Sequence, residues 1–295
     1  MEGSSESTPL TAERFVPEAQ RRELIEAEHL ARYVWAAQLA QGRTVLDAGC
    51  GLGYGTAIMA RAGALAAYGV DIDVDAITRA HEQFSDEAGF GGGDLLALPF
   101  PRDAFDLVVC FEALEHVADP ERALDELHRV LRSEGVLVVS SPNRGVYPSG
   151  NPFHLHEYTS EELEETLNKR FDNVRVMRQS VHLTSLITDD RGVVAEDPEV
   201  EVAASLRKLE PQAPGEEMIA IGVAADVALP ELERIGMVTG MLTLKTWVEE
   251  ILNWSERARR AEAELLYARG QVGQAERERE LAVAELEALR EKLGS

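Results

Sequence analysis

The sequence predicts an α/β fold: a doubly wound, largely parallel sheet of seven strands with helices on both faces. Three observations predict it. Short apolar runs alternate with amphipathic helical segments through residues 17–228. Two early apolar runs end in an acidic residue, and the first of them leads into a glycine-rich turn at 49–55. Such turns at the carboxyl end of a strand are typical of sheets of this type.

The elements follow one another in steady alternation. A polar lead, 1–16, precedes a helix over 17–40, whose apolar residues recur at helical spacing and which Gly42 ends. Strands are expected at 44–47, 66–70, near 90, and at 104–111, 135–141, 173–178 and 217–224. Helices are expected between them at 54–62, 75–84, 120–131 and 159–169. Residues 189–216 are acidic and contain three prolines, so we expect an insertion loop there.

The C-terminal segment, 231–295, has a different pattern. Between Leu244 and Leu293, fifteen positions alternate at three- and four-residue spacing, and fourteen of them are apolar. A heptad seam sustained this long predicts a coiled coil, and hence a homo-oligomer formed through this tail. The alternative is a single amphipathic helix folded back on the main domain, although ~50 residues of helix exceed what a small domain can cover.

Composition excludes several classes of partner. The 295 residues include 53 acidic and 29 basic side chains, a formal net charge of −24, which disfavours nucleic-acid backbones and anionic membrane surfaces. No run approaches the ~20 apolar residues of a membrane-spanning helix. The first ten residues do not have the pattern of a signal peptide, and Cys50 and Cys110 lie in apolar runs, as buried thiols of a cytoplasmic protein do.

The glycine-rich turn indicates a particular kind of ligand. A nicotinamide-type fingerprint starting at Gly49 needs its third glycine at position 54, which is tyrosine, whereas here the third glycine is Gly53. Asp47 precedes the turn, and a negative group there suits a cationic ligand better than a pyrophosphate. Asp71, at the end of the next predicted strand, is placed to accept from ribose hydroxyls. The alternative for the glycines alone is a tight turn without a ligand.

With these residues, the chain resembles the class I S-adenosylmethionine-dependent methyltransferases over residues 15–228. By this resemblance the cofactor-binding residues are Asp47, Gly49, Gly51, Asp71, Ile72, Asp94, Leu95 and Phe111. The resemblance implies that the turn holds the methionine part of S-adenosylmethionine and that Asp71 binds the ribose. It also implies that Ile72 packs on the adenine and that Asp94 accepts from the adenine amino group.

A second motif follows the predicted fourth strand. Glu112, Glu115 and His116 stand at i, i+3 and i+4, so on a helical turn two carboxylates and an imidazole converge on one side. They also lie at the carboxyl end of a strand, where such sheets bind ligands. The alternative is a solvated helix start, with its acids near the positive end of the helix dipole.

A later loop, 151–159, carries His154 and His156 toward the same edge. Glu-x-x-Glu-His followed by His-x-x-Glu-aromatic-Thr resembles two metal-using branches of the methyltransferases. They are the small-RNA 2′-O-methyltransferases and, closer across the chain, the bacterial sugar and polysaccharide O-methyltransferases. The resemblance implies a divalent ion, Mg²⁺ before Mn²⁺ or Zn²⁺, with the metal ligands Glu112, Glu115, His116 and His154. The catalytic residues it suggests are His154, His156 and Glu115.

The sequence therefore predicts a cytoplasmic, metal-assisted O-methyltransferase. Its acceptor would be a sugar hydroxyl on a glycan, a glycolipid or a glycosylated metabolite. A second hypothesis is the same chemistry on a small aromatic or polyketide-type natural product. A third, of another class, is a scaffold that presents the coiled coil to a pathway enzyme. An RNA acceptor would need a basic track, which this composition does not supply.

Overall fold

The computed structural model describes residues 24–146, 153–181 and 213–236, together with residue 259. The three ranges belong to the first of two compact units, Met1–Thr239. Everything said below about the fold concerns this part of the chain.

Three expectations fall on other residues. The polar lead 1–16 lies outside the described residues, and so do most of the insertion loop 189–216 and the heptad seam between Leu244 and Leu293. These remain predictions.

One sheet of seven strands organises the described chain, as the sequence predicts. Its strands are β1 (Thr44–Ala48), β2 (Ala66–Asp71), β3 (Gly89–Gly92), β4 (Phe105–Cys110), β5 (Leu131–Pro142), β6 (Asn173–Gln179) and β7 (Ile219–Ala225). Their order across the sheet is β3-β2-β1-β4-β5-β7-β6. Among these seven strands β7 alone runs against the others, because it pairs antiparallel with both β5 and β6. The sheet is therefore largely parallel, which confirms the predicted class.

Five helices and two short 3-10 helices complete this part of the fold. The helices are α1 (Leu24–Ala36), α2 (Tyr54–Arg61), α3 (Val74–Phe84), α4 (Pro120–Val130) and α5 (Ser160–Asn168); the 3-10 helices are Ala37–Leu39 and Leu114–His116. Local chemistry marks several of their ends. Asp73 and Asp119 cap α3 and α4 by accepting from backbone N–H groups, and Thr159 begins α5 with a capping box that includes Glu162.

The core lies on both faces of the sheet because side chains of a strand alternate between its two sides. Val108 of β4 packs on one face with Leu124 of α4 and Leu163 of α5. Val109 of the same strand packs on the opposite face with Met59 of α2 and other apolar residues. Because both faces of the sheet are covered, its parallel strands can be apolar throughout. In sheets of this type, ligands bind at the carboxyl ends of the strands.

Candidate functional site

The glycine-rich turn after β1 is as tight as the sequence predicts. Gly49, Gly51 and Gly53 all have left-handed backbones, with φ of 84°, 52° and 79°. A Cβ atom on Gly49 would lie 2.7 Å from the Cβ of Ala113, and one on Gly53 would lie 2.6 Å from the Phe90 ring. Larger residues are therefore excluded at Gly49 and Gly53, both by the backbone conformation and by the close packing of the turn on Ala113 and Phe90.

Asp71 joins this turn to the end of β2. One oxygen of its carboxylate accepts from the backbone N–H of Gly51 and the other from that of Asp73, both at 2.9 Å. A carboxylate can accept further hydrogen bonds on its remaining lone pairs. Next to it in the chain, Ile72 is 73% exposed, so its apolar side chain is accessible.

Asp94 and Leu95 follow β3, the neighbour of β2 in the sheet. Asp94 is exposed, and its Oδ1 accepts from the backbone N–H of Leu96 at 2.8 Å, whereas the Leu95 side chain is buried. Asp71 ends β2, and Asp94 and Leu95 follow the adjacent strand β3, so these residues lie near one another at the carboxyl ends of the strands.

Asp47, which the resemblance assigns to the methionine part of the cofactor, has its side chain in the interior of the fold. It is fully buried, and it accepts from the Tyr33 hydroxyl at 3.1 Å and from Thr56 Oγ1 at 2.7 Å. Burial raises the pKa of this carboxyl to about 7, although both hydrogen bonds act in the opposite direction. Asp47 thus joins α1, through Tyr33, and the first turn of α2, through Thr56, to β1.

The first prediction follows from this burial and concerns Asp47→Asn. A carboxyl whose pKa rises from about 4 in the unfolded chain to about 7 in the fold makes its contribution to stability at low pH. That contribution is lost as the pH rises from about 4 to about 7, by up to about 4 kcal/mol in the free energy of unfolding. The asparagine variant has no titrating group at this position and lacks this pH-dependent contribution to stability.

The measurement is paired thermal unfolding of both proteins between pH 4.5 and 8. The melting temperature of the parent protein should fall relative to that of the variant up to about pH 7 and then run parallel to it. All other titrating groups are common to both proteins, so parallel curves over the whole range would contradict the raised pKa.

The segment after β4 corrects the expected helical turn. Glu112 has a left-handed backbone, φ 48°, and its N–H donates to Ser140 Oγ at 3.1 Å. The Ser140 hydroxyl donates in return to Glu112 Oε1 at 2.8 Å. Only the three residues Leu114–His116 form a 3-10 helix. The prediction that Glu112, Glu115 and His116 share one helical face is therefore wrong, because the reciprocal bond to β5 fixes Glu112 outside the helix.

The structure nevertheless brings three of the four expected ligands together. Glu115, His116 and His154 each offer one ligand atom, and these atoms lie within 4.8 Å of one another. The loop that carries His154 is fixed here because the backbone N–H groups of Leu155 and His156 donate to the Glu115 carbonyl oxygen, at 2.7 and 3.2 Å. Glu112 lies outside this group.

Glu115 is the most unusual member of the cluster. Its side chain is 1% exposed, and neither carboxylate oxygen has a hydrogen-bond partner. Burial, and then the nearby charge of Glu112, raise the pKa of Glu115 well above its usual range. Buried polar atoms without partners are rare in folded proteins and call for an explanation, such as a bound ion.

The two imidazoles are oriented by oxygen atoms. His154 Nδ1 lies 2.6 Å from Glu157 Oε1, and His116 Nδ1 lies 3.2 Å from the Phe153 carbonyl oxygen. The two rings meet edge to face, with centroids 4.9 Å apart. An oxygen partner on one ring nitrogen is the usual way to orient a metal-binding histidine. Together with the Glu115 carboxylate, these rings suit a divalent ion.

His156 and Phe111 complete the expected site residues. His156 is exposed, and its ring packs against Tyr158 with centroids 4.4 Å apart, outside the three-residue cluster. Phe111 is buried and meets the Tyr33 ring edge to face, with centroids 5.0 Å apart.

Sequence reasoning missed the residues that support the site. These include Tyr33, Thr56, Ser140 and Glu157. Glu157 belongs to the loop motif, three residues after His154, but its contact with the His154 ring was not expected. The others come from distant segments, and nothing in their local sequence marks them.

The chain is similar to known proteins over the region that contains the glycine-rich turn. Residues 46–139 match the protein family described as a methyltransferase domain. A probable S-adenosylmethionine-dependent methyltransferase of Mycolicibacterium smegmatis is 37% identical over 165 residues, which cover 54% of this chain and 63% of that protein. A protein of the same description from Mycobacterium tuberculosis is 35% identical over 163 residues, 54% of this chain and 59% of that protein.

A further relative has a more specific description. A ubiquinone biosynthesis O-methyltransferase of Coxiella burnetii is 31% identical over 116 residues, 38% of this chain and 49% of that protein. The chain spans somewhat less than two thirds of the length of the two mycobacterial relatives. Within the part of the chain that the structure describes, the helices are too short or too polar to cross a bilayer.

Proposed function

We infer that this chain is an S-adenosylmethionine-dependent O-methyltransferase that acts on a sugar hydroxyl. The observation that carries the methyl-transfer part is the match of residues 46–139 to a methyltransferase domain, which includes the glycine turn and both acidic strand ends. The two mycobacterial relatives, described as probable S-adenosylmethionine-dependent methyltransferases, support the same donor.

The residues present fit S-adenosylmethionine. Gly49 and Gly51 have the left-handed backbones that such a turn requires, and their backbone would hold the methionine part. Asp71 would accept from the ribose hydroxyls, the exposed face of Ile72 would pack on the adenine, and Asp94 would accept from the adenine amino group. Bound S-adenosylmethionine supplies an electrophilic methyl group on a sulfonium.

The reaction at this edge is an in-line displacement. The acceptor oxygen would bond the methyl carbon as the carbon–sulfur bond breaks with its electron pair going to sulfur, and S-adenosylhomocysteine would be the other product. The acceptor hydroxyl must give up its proton. We assign this proton to His156, which is exposed and whose backbone N–H donates to the Glu115 carbonyl oxygen. Most of the acceleration would come from alignment of the reacting atoms.

The cluster of Glu115, His116 and His154 fits a divalent ion. A buried carboxylate without hydrogen-bond partners and two oriented imidazoles are a mixed oxygen and nitrogen donor set, which suits Mn²⁺ or Zn²⁺ as well as Mg²⁺. Such an ion, when bound, lowers the pKa of a neighbouring hydroxyl and orients it. Glu112 would join only after releasing its hydrogen bond to Ser140.

The sugar acceptor is supported by the resemblance of the two loop motifs to bacterial sugar and polysaccharide O-methyltransferases. A small aromatic acceptor is the second candidate, and the similarity to a ubiquinone biosynthesis O-methyltransferase favours it. The scaffold hypothesis is the weakest. The left-handed glycines, and the hydrogen bond from the Gly51 N–H to Asp71, speak for a turn that binds a cofactor.

The experiment is methyl transfer from labelled S-adenosylmethionine to a panel of sugars, glycolipids and phenols, with and without chelator. We expect label in a sugar-containing acceptor, and we expect chelator to reduce it. Label only in phenols would favour the second candidate. If the parent protein binds neither S-adenosylmethionine nor S-adenosylhomocysteine, both methyltransferase hypotheses are refuted and the scaffold hypothesis remains.

The tail and the cell compartment are further parts of the proposal. The heptad seam between Leu244 and Leu293 would pair two copies of the chain.

The two cysteines, Cys50 and Cys110, are free and buried, which is consistent with a cytoplasmic protein.

A further inference from the structure

A buried carboxylate, that of Glu217, has no part in the chemistry described so far. Glu217 lies two residues before β7 and is 1% exposed. The Ser160 hydroxyl donates to its Oε1, the backbone N–H of Gly215 donates to its Oε2 at 2.8 Å, and Arg178 Nε lies 3.4 Å from Oε2. Burial acts to raise the pKa of Glu217, but these hydrogen bonds outweigh it and hold the pKa below its usual range. The carboxylate is therefore ionised at neutral pH, and both of its oxygens accept hydrogen bonds inside the fold.

The segment that contains Glu217 holds two other elements. Asn143, the residue after β5, is 1% exposed, and its Nδ2 donates to the carbonyl oxygens of Gly215 and Glu217, at 3.0 and 2.8 Å. The backbone N–H of Asn143 donates to the Met218 carbonyl oxygen at 2.9 Å. Ser160, which the carboxylate binds, is the first residue of α5. The short segment before β7 therefore binds both the chain that leaves β5 and the chain that enters α5.

The loop between those two points carries His154. Its ends meet where Asn143 pairs with Tyr158 in an isolated parallel bridge. Tyr158 is 3% exposed and lies only four residues after His154. Between them, Glu157 Oε1 lies 2.6 Å from His154 Nδ1. A short stretch of chain therefore connects the His154 ring to the contacts of Glu217.

We propose that Glu217 is a positioning residue: its bond to Ser160 fixes the base of this loop and thereby holds His154 at Glu115. The proposal has two parts. The fixing of the loop depends only on hydrogen bonds within the protein, including those from the Leu155 and His156 N–H groups to the Glu115 carbonyl oxygen. The effect on a divalent ion rests on the metal site of the proposed function, because His154 is one of the ligands proposed there.

Three substitutions separate the hydrogen bonds of Glu217 from its volume. Glu217→Leu keeps the approximate volume and removes both acceptors. Glu217→Gln keeps an acceptor for the Gly215 N–H, and its amide can donate to the Ser160 hydroxyl oxygen, so it should behave almost as the parent protein does. Ser160→Ala removes the bond to the loop base alone, and it serves also if Glu217→Leu does not fold. Glu126→Leu is the matched control, since Glu126 accepts hydrogen bonds from Arg129 within α4.

The first measurement is amide hydrogen exchange, followed by NMR on the full-length protein without added metal. In Glu217→Leu and in Ser160→Ala, the amides of Leu155 and His156 should exchange about tenfold faster, because the loop opens locally more often. A general loss of stability acts on the slow amides of the sheet and leaves amides that exchange by local opening unchanged. Glu126→Leu and Glu217→Gln should therefore keep the two loop amides within about twofold of the parent rates.

The second measurement is calorimetric titration of the same proteins with Mn²⁺ and, separately, with S-adenosylhomocysteine. Glu217→Leu should bind Mn²⁺ about tenfold more weakly, because the His154 ring is no longer held at the other two ligands. Its affinity for S-adenosylhomocysteine should be unchanged, since the glycine turn and Asp71 lie in other segments.

The outcomes separate the two parts. Parent-like exchange of the two loop amides in Glu217→Leu, or in Ser160→Ala if the leucine variant does not fold, overturns the proposal. Equal acceleration in Glu126→Leu overturns it as well, because the effect would then not be specific to Glu217. If the parent protein binds Mn²⁺ and Glu217→Leu binds it equally well, the action on His154 is refuted. A parent protein that binds no Mn²⁺ refutes the metal site of the proposed function, and the exchange rates then decide the role of Glu217 by themselves.

Discussion

Replacement of Asp71 by alanine should weaken the binding of S-adenosylhomocysteine by about 100-fold. The carboxylate would supply charge-assisted hydrogen bonds to two ribose hydroxyls, and losing them costs about 3 kcal/mol of binding free energy. The substitution also frees the backbone N–H of Gly51, whose partner is this carboxylate. The glycine turn would then lose one of the bonds that fix it, so the methionine end of the ligand should be held less firmly too.

Calorimetry with S-adenosylhomocysteine measures this effect directly. Asp71→Asn keeps one acceptor oxygen and should fall between the parent protein and the alanine variant. Asp75→Ala is the control, because Asp75 is exposed in the first turn of α3 and a capped helix start remains without it. Binding by Asp71→Ala within threefold of the parent would refute the ribose role.

Replacement of Glu115 by glutamine should reduce methyl transfer by about 100-fold while leaving S-adenosylhomocysteine affinity within about threefold. Glutamine has the same shape but lacks the charge that would bind an ion. The donor would be held by the glycine turn and Asp71, which this change does not touch. His154→Ala should have a similar effect, because it removes an imidazole from the same cluster.

The measurement compares methyl transfer by the parent and both variants, before and after chelation and with Mg²⁺, Mn²⁺ or Zn²⁺ added back. Glu164→Gln, an exposed residue of α5, is the matched control and should behave as the parent. Parent-like turnover in both cluster variants, or full activity in chelator, would mean that the cluster only fixes the loop after His154.

The helices and strands could be predicted because their determinants are local. Apolar runs of the right length, acids at the ends of β1 and β2, and glycines that need left-handed backbones lie within a few residues of one another. Each predicted strand is present, and the weak third strand near Phe90 is β3. Local propensity could not give the reversal of β7, because its pairing joins segments that are far apart in the chain.

Glu112 shows why part of the site could not be predicted. The spacing of Glu112, Glu115 and His116 is that of one helical face, yet Ser140 on β5 holds the first of them in a left-handed backbone. A side chain 28 residues away thus overrides the local pattern. The same distance effect brings His154 to Glu115, since the loop is tied to the Glu115 carbonyl oxygen.

The sequence by itself therefore determined the α/β class, the glycine-rich turn and the acids at the ends of β1 and β2, because backbone conformation and spacing are local properties of the chain. Only the tertiary structure decided the state and the partners of the charged groups. It buries Asp47 against Tyr33 and Thr56, and it leaves the Glu115 carboxylate oxygens buried without hydrogen-bond partners. Desolvation and electrostatic fields depend on everything that surrounds a group, and that environment exists only once distant segments have packed together.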